Sequence, residues 1–309
     1  MLRLSFLLFI AIRFAFLCLE VFRGEAEVDI FLLALIFLKL LNEKRLPQWD
    51  PSQEEPDTYN LPDMQLTVSK FISDIMATIK SQEDAKSYDT KRIRRDFLIE
   101  KVFAANEVNM VYSMYDRMIV GGAMPVGEVL KLEAIDPLKA PYFLTRREMG
   151  IFNVGGPGVV KSGNAVFELD YKEALYLGSG DREITFESKD ASNPAKFYFN
   201  STTAHRNYPD KKVTKKDAVV AEMGSLEGSN HRNINKMLVS QVLPTCQLQM
   251  GMTELQPGSV WNTMPAHVHS RRMEAYFYFE VPEDQAVCHF MGEVDETRHI
   301  WMKGDQAVL

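Results

Sequence analysis

The chain contains the stretch Pro265-Ala266-His267-Val268-His269-Ser270-Arg271-Arg272-Met273-Glu274-Ala275-Tyr276-Phe277-Tyr278-Phe279. Side chains alternate across a β-strand, so His267 and His269 are predicted to point to the same face. The Ser-Arg-Arg segment can turn the chain, and the alternating run that follows it would bring Glu274 back over the two imidazoles. Two neutral nitrogens and one carboxylate suit Zn²⁺, Fe²⁺ or Mn²⁺ and leave an open position for substrate. We therefore predict a metal site made of His267, His269 and Glu274.

The composition narrows the functional classes. A length of 309 residues allows two compact domains or one large double domain. The net charge of −7 disfavours nucleic acid as a partner. Cys18, Cys246 and Cys288 are odd in number and widely spaced, as expected for free thiols in a reducing compartment rather than a disulfide framework.

The N-terminal 45 residues differ in composition from the rest. They hold two apolar runs, residues 4–22 and 30–41, which we predict to form an apolar, helical extension. Three interpretations stay open: a signal peptide, a membrane anchor, or sequence that is untranslated or mis-joined to a soluble enzyme. A spanning helix needs about 20 clean apolar residues, and neither run supplies them. Residues 46–82 are predicted to form a proline-rich linker and a short helix, with Phe71, Ile75 and Ile79 favouring helix over 64–86.

From Arg95 onward the pattern becomes β-rich. Short apolar runs alternate with glycine turns, which predicts a mainly β fold of sandwich or barrel type. The segment Gly155-Gly156-Pro157-Gly158 lacks the lysine and the following helix of a phosphate loop. We interpret it as a tight turn between strands.

An internal repeat divides this β-rich region. The segment Tyr142-Phe143-Leu144-Thr145-Arg146-Arg147-Glu148-Met149 aligns with His267 to Glu274, and Lys172-Glu173-Ala174-Leu175-Tyr176 aligns with Asp305 to Leu309. The first copy has Tyr142 and Leu144 in place of the two histidines and could not hold a metal. We predict an N-terminal barrel over 83–215 without metal ligands and a metal-binding barrel over 216–309. The second copy stops in mid-strand, so its barrel is expected to be incomplete.

With the repeat and the H-x-H-x₄-E pattern in view, the chain resembles the cupin superfamily and, within it, the 5-keto-4-deoxyuronate ketol-isomerase family. The resemblance runs from about residue 83 to the end. It is carried by motifs such as Arg232-Asn233-Ile234-Asn235-Lys236 and Trp261-Asn262-Thr263-Met264-Pro265, and by residues 95–103, 112–122, 143–148, 194–198, 245–248 and 296–300.

The resemblance implies a double β-barrel (bicupin), one Zn²⁺ per subunit in the C-terminal barrel, and a cytoplasmic homohexamer that acts in pectin breakdown. Its reaction interconverts a 4-deoxy-5-ketouronate and 3-deoxy-D-glycero-2,5-hexodiulosonate. Three family zinc ligands carry over to His267, His269 and Glu274. The fourth is a histidine that falls beyond residue 309 and is distinct from His299, so the chain is expected to be truncated with three of four ligands. The apolar N-terminus leaves a membrane-anchored or exported form as the alternative location.

Two further sets of residues are candidates for the chemistry. Isomerisation moves a proton between adjacent carbons and needs a base within reach; Tyr276, Tyr278 and Glu254 are the candidates. An anionic uronate calls for a planar cation, because arginine can bind a carboxylate through two hydrogen bonds. The candidates for that role are Arg271, Arg272 and Arg232.

Two other functions stay open. A cupin dioxygenase would bind Fe²⁺ through similar ligands. An inactive, truncated bicupin would act only as a binding or structural protein.

Overall fold

The computed structural model describes residues 76–77, 81–262, 269 and 272–309, all of them within one compact unit, Ile72–Leu309. The predicted extension over 1–45 and most of the predicted linker over 46–82 lie outside the described residues. In the part of the chain that is described, no helix is long and apolar enough to span a membrane.

The described chain is mainly β, as the sequence predicts. Its strands are β1 Met76–Ala77, β2 Leu98–Ile99, β3 Glu107–Ser113, β4 Ile119–Met124, β5 Leu130–Lys131, β6 Arg147–Asn153, β7 Gly158–Ser162, β8 Ala165–Leu169, β9 Ala174–Leu177, β10 Ile184–Ser188, β11 Phe197–Thr203, β12 Lys211–Val213, β13 Val219–Met223, β14 Arg232–Leu238, β15 Met250–Leu255, β16 Tyr276–Tyr278, β17 Val287–Met291, β18 Arg298–Met302 and β19 Gln306–Val308.

Helices are few and short in the described chain. They are α1 Gln82–Ala85, α2 Thr90–Phe97 and a 3₁₀ turn at Asp136–Leu138. The Asp89 carboxylate caps α2 by accepting a hydrogen bond from the backbone N–H of Arg92 at 2.7 Å. The helix predicted over 64–86 is wrong at β1, because Met76 and Ala77 pair in parallel with the edge of β3.

The described strands form five sheets. The largest has the order β1-β3-β4-β11-β6-β9-β12, and it faces the sheet β5-β10-β7-β8 across an apolar core that includes Ile151, Phe186 and Phe199. The other sheets are β13-β14-β15, β16-β19-β2 and β17-β18. None of the five closes on itself among the described strands, so barrel closure stays a prediction.

A second apolar core, here called the shared core, lies on the other face of the seven-stranded sheet. Phe152, Tyr176 and Tyr198 of that sheet pack there against residues of β14, β15, β16 and β19. The rings of Tyr198 and Phe277 stack with centroids 4.3 Å apart. The first half of the fold (β3–β11) and the second half (β13–β19) therefore lie back to back.

The pairing registers of the two halves agree with the predicted repeat. Phe152 pairs with Ala174 in the first half, and Phe277 pairs with Ala307 in the second, which are the positions that the alignment equates. Lys172 and Asp305, also equated, both adopt positive φ, at 63° and 62°. Each donates its backbone N–H at 2.7 Å to the strand opposite. The domain boundary at 215/216 stays a prediction.

The halves also exchange strands. β12 directly precedes the second half, yet it pairs with β9 of the first half, with Val213 opposite Ala174. β2 precedes the first half, yet it pairs with β19 of the second half, with Ile99 opposite Ala307. The strand that precedes each half therefore completes a sheet of the other half.

The glycine-rich segment lies between β6 and β7, as predicted for a turn. The backbone N–H of Gly156 donates to the carbonyl of Pro194 at 2.9 Å. A Cβ at Gly156 would lie 1.9 Å from the carbonyl oxygen of Asn193, so this close approach requires glycine.

Candidate active site

The side chains around β16 divide between two faces. Met273, Ala275, Phe277 and Phe279 pack in the shared core. Because side chains alternate, the residues between them, Glu274, Tyr276 and Tyr278, point to the opposite face. We call this the site face: the face of the second-half sheets that is turned away from the shared core.

Two of the three predicted metal ligands meet on the site face. His269 Nε2 lies 3.3 Å from Glu274 Oε1, and the two side chains are 31% and 36% exposed. The Tyr276 hydroxyl donates a hydrogen bond to Glu274 Oε2 at 3.3 Å. An imidazole nitrogen and a carboxylate oxygen that are close together and reachable by solvent are donors that Zn²⁺ accepts.

The third predicted ligand, His267, lies outside the described residues. Among the residues that are described, no group of three or more His, Cys, Asp or Glu side chains could hold a metal ion. The complete three-ligand set therefore stays a prediction, and His269 with Glu274 is the part that the geometry supports.

A histidine that sequence reasoning missed lies beside these residues. His289, on β17, is 2.8 Å from the Tyr278 hydroxyl through Nδ1, and its ring meets the Tyr276 ring edge-on with centroids 5.1 Å apart. Burial lowers the pKa of His289 to about 4 and raises the pKa of Tyr278. At neutral pH the imidazole is therefore neutral and the Tyr278 hydroxyl keeps its proton, so the two groups form a neutral hydrogen bond whose direction depends on the imidazole tautomer.

Arg232 lies on the site face of β14. It is directly opposite the exposed residues Leu255 and Met223, whereas Met250 and Met252 of the neighbouring strand point into the shared core. Arg232 is only 5% exposed and donates from Nη1 to the carbonyl of Asn230 at 2.8 Å. Its buried Nε has no hydrogen-bond partner within the described chain. A buried guanidinium with a spare donor is suited to bind an anion.

Glu254, a predicted candidate base, lies on the other face of its sheet. It shares the side of β15 that carries Met252 and forms ion pairs with Lys215 at 2.6 Å and Lys172 at 3.2 Å. Burial alone would raise its pKa, but hydrogen bonds from Lys215, Lys172 and Asn235 lower it overall. The structure therefore brings Glu254 to the seam with the first half rather than to Glu274.

The two remaining arginine candidates are Arg272 and Arg271. Arg272 is exposed, and its Nη1 lies 3.9 Å from Glu274 Oε1. Arg271 is outside the described residues.

The equivalent positions of the first half are apolar. Leu144 and Met149, which the repeat equates with His269 and Glu274, are fully buried in the core with Phe199. The first half therefore has no counterpart of the His269–Glu274 pair at these two positions.

Comparison with known proteins places these features in a family. The family model described as KduI/IolB matches residues 97–308. The 4-deoxy-L-threo-5-hexosulose-uronate ketol-isomerase 1 of Bacteroides thetaiotaomicron is 90% identical over 227 residues, which cover 74% of this chain and 81% of the relative. A protein named 4-deoxy-L-threo-5-hexosulose-uronate ketol-isomerase in Formosa agariphila is 57% identical over 229 residues, covering 74% of this chain and 82% of that protein.

A solved structure agrees with the fold. The crystal structure of an IolB-like protein from Salmonella typhimurium superposes with a TM-score of 0.53 at 16% identity, covering 69% of this chain and 83% of that one. The family match spans most of the chain, and both named relatives share more than half of their aligned residues with it. The chain therefore belongs to the KduI/IolB family.

Proposed function

We propose that the chain is a zinc-dependent ketol-isomerase that interconverts 5-dehydro-4-deoxy-D-glucuronate and 3-deoxy-D-glycero-2,5-hexodiulosonate, as in uronate and pectin degradation. The names of its relatives support an isomerase of this substrate class. The observation that carries the proposal is the approach of His269 to Glu274 on the site face, with the Tyr276 hydroxyl bound to the same carboxylate.

His267, His269 and Glu274 are the residues that would hold the zinc ion. When bound, the ion supplies polarisation of the substrate carbonyl and stabilisation of the negative charge that develops on oxygen.

The chain's own residues supply binding and proton transfer. Arg232 is the best-supported partner for the substrate carboxylate, because it is buried and has an unused donor. The proton that leaves one carbon must be received by a base and returned to the neighbouring carbon. Of the three candidates, Tyr276 is the one whose hydroxyl lies beside Glu274; it would have to lose the proton that it donates to Glu274 before it could act as the base. Tyr278 holds its proton because its pKa is raised, and Glu254 is held by two lysines away from Glu274.

We propose further that the protein assembles as a homohexamer and works in the cytoplasm, as the family resemblance implies. The mass of the purified protein in solution measures the first, and cell fractionation measures the second.

The test combines metal analysis with an oxygen-free assay on the whole chain. We expect one zinc per chain and turnover of the deoxyketouronate without oxygen. Glu274→Gln should lose zinc, whereas Glu293→Gln, at an exposed turn between β17 and β18, should keep it. Bound iron with oxygen-dependent turnover would indicate a dioxygenase instead. A folded protein with neither metal nor turnover would indicate a binding or structural role.

A further inference from the structure

We propose that His289 is a positioning residue, which acts through Tyr276 to hold Glu274 in the orientation that zinc binding requires. The inference rests on the proposed function, because the effect it describes is an effect on zinc affinity. It concerns a residue outside the predicted ligand set and outside the candidate bases.

The orientation of the His289 imidazole is held by a hydrogen bond with Tyr278. His289 lies within the strand Val287–Met291, and Tyr278 lies on β16, in a different sheet. The 2.8 Å hydrogen bond between the Tyr278 hydroxyl and Nδ1 joins the two sheets and sets the orientation of the ring. Burial keeps the ring neutral.

The second step is the support of Tyr276. The His289 ring packs edge-on against the Tyr276 ring at 5.1 Å, in the T-shaped geometry that aromatic pairs favour. Tyr276 is partly buried and joins the apolar cluster of Ile300, Met302 and Val308. The imidazole thus limits where the Tyr276 ring can lie.

The third step is the orientation of the ligand. The Tyr276 hydroxyl donates to Glu274 Oε2, while Glu274 Oε1 is the oxygen that faces His269. A hydrogen bond to one carboxylate oxygen leaves the other facing His269, where the zinc ion would be held. Residues that orient a metal ligand in this way commonly contribute 10–100-fold to metal affinity or activity.

The experiment measures the affinity of the whole chain for zinc alone, by competition with a chromophoric chelator. His289→Phe keeps a ring but removes the ring nitrogen that pairs with Tyr278, and we expect zinc affinity to fall about tenfold. Tyr278→Phe removes the same hydrogen bond from the other side and should give a similar loss. The double variant should lose no more than either single variant.

A matched control and an epistasis test separate positioning from a general effect on folding. His299→Phe alters an exposed histidine that is opposite Phe290 on the outer side of the same two-stranded sheet, and it should bind zinc as the wild type does. In a Tyr276→Phe background, His289→Phe should cause no further loss, because the route to Glu274 is already cut.

The outcomes are distinct. Wild-type zinc affinity in both His289→Phe and Tyr278→Phe would overturn the inference and leave the proposed function intact. A full tenfold loss from His289→Phe in the Tyr276→Phe background would show that His289 acts by another route, which also overturns it. A wild-type chain that neither binds zinc nor turns over substrate would overturn the proposed function and this inference with it.

Discussion

Arg232 is a guanidinium that the fold buries almost completely while leaving its Nε without a hydrogen bond in the described chain. Desolvating a charge is costly unless it is paired. A substrate carboxylate would supply the missing partner, which makes Arg232 the arginine candidate with the clearest physical reason to bind it.

We predict that Arg232→Gln raises KM for the deoxyketouronate by roughly 10–100-fold, since a hydrogen bond to a charged group contributes about 1.5–3 kcal/mol. The kcat should change less than KM, because the lost interaction is with a carboxylate that does not react. Steady-state kinetics measure both values, with the exposed Arg206→Gln as the control. An unchanged KM would remove Arg232 from the substrate site.

The burial of His289 should make the stability of the fold depend on pH. Its pKa is lowered from 6.5 to about 4 in the folded chain, so the unfolded chain binds more protons between these values. The contribution of His289 to the free energy of unfolding should therefore be complete above pH 6.5. It should decrease by roughly 3 kcal/mol as the pH drops toward 4. Urea unfolding of the metal-free chain at several pH values measures it. His289→Phe should lose this part of the slope; parallel curves for the two proteins would contradict the assignment.

At the scale of elements, the turn between β6 and β7 offers a test with a built-in control. Gly156→Ala places a methyl group against the Asn193 carbonyl, whereas a Cβ at Gly127 would have no atom within 4 Å. We expect Gly156→Ala to lower the free energy of unfolding by about 1–3 kcal/mol and Gly127→Ala to leave it nearly unchanged. Equal stabilities of the two variants would show that the backbone relaxes around the new methyl group.

The alternation of side chains in a strand and the internal repeat could be predicted from the sequence, because both are patterns of neighbouring residues. The run from Glu274 to Phe279 alternates as predicted, and the two aligned segments share one pairing register. Contacts between residues of different sheets could not be predicted. His289 reaches Tyr278 across two separate sheets, so no strand spacing predicts the contact. β15 carries large apolar side chains on both faces, at Met252 and Leu255, so alternation alone does not tell which face holds Glu254.

The short strand β1 shows a different limit. The spacing of four between apolar residues predicts a helix through Met76 and Ala77. Instead, these two residues form a strand that pairs with the edge of β3. Tertiary pairing overrides a weak periodic pattern when the segment is short.

At the scale of the whole molecule, the shared core and the exchanged strands make the two halves depend on each other. Glu148 adds a polar tie: its buried carboxylate accepts hydrogen bonds at 2.7 Å from Tyr176 and from the backbone N–H groups of Cys246, Gln247 and Leu248. The two copies of the repeat thus share a core and a network of buried hydrogen bonds.

We predict that residues 216–309 alone do not fold, because they lack β2 and the shared-core partners Phe152 and Tyr198. Residues 81–309 should unfold in a single cooperative transition. Circular dichroism and the dispersion of amide NMR signals measure this for both fragments. A dispersed spectrum from the isolated 216–309 fragment would refute the interdependence of the halves.

The exchange of strands also has a consequence during synthesis. Ile99 pairs with Ala307, and the ribosome makes these residues 208 positions apart (307 − 99). At about 5–20 residues per second, the nascent β2 waits roughly 10–40 s for its partner. Leu98 and Ile99, which are buried in the finished fold, lack their pairing partners during that interval. Translation speed and chaperone capture of this segment thus become determinants of the yield of native protein.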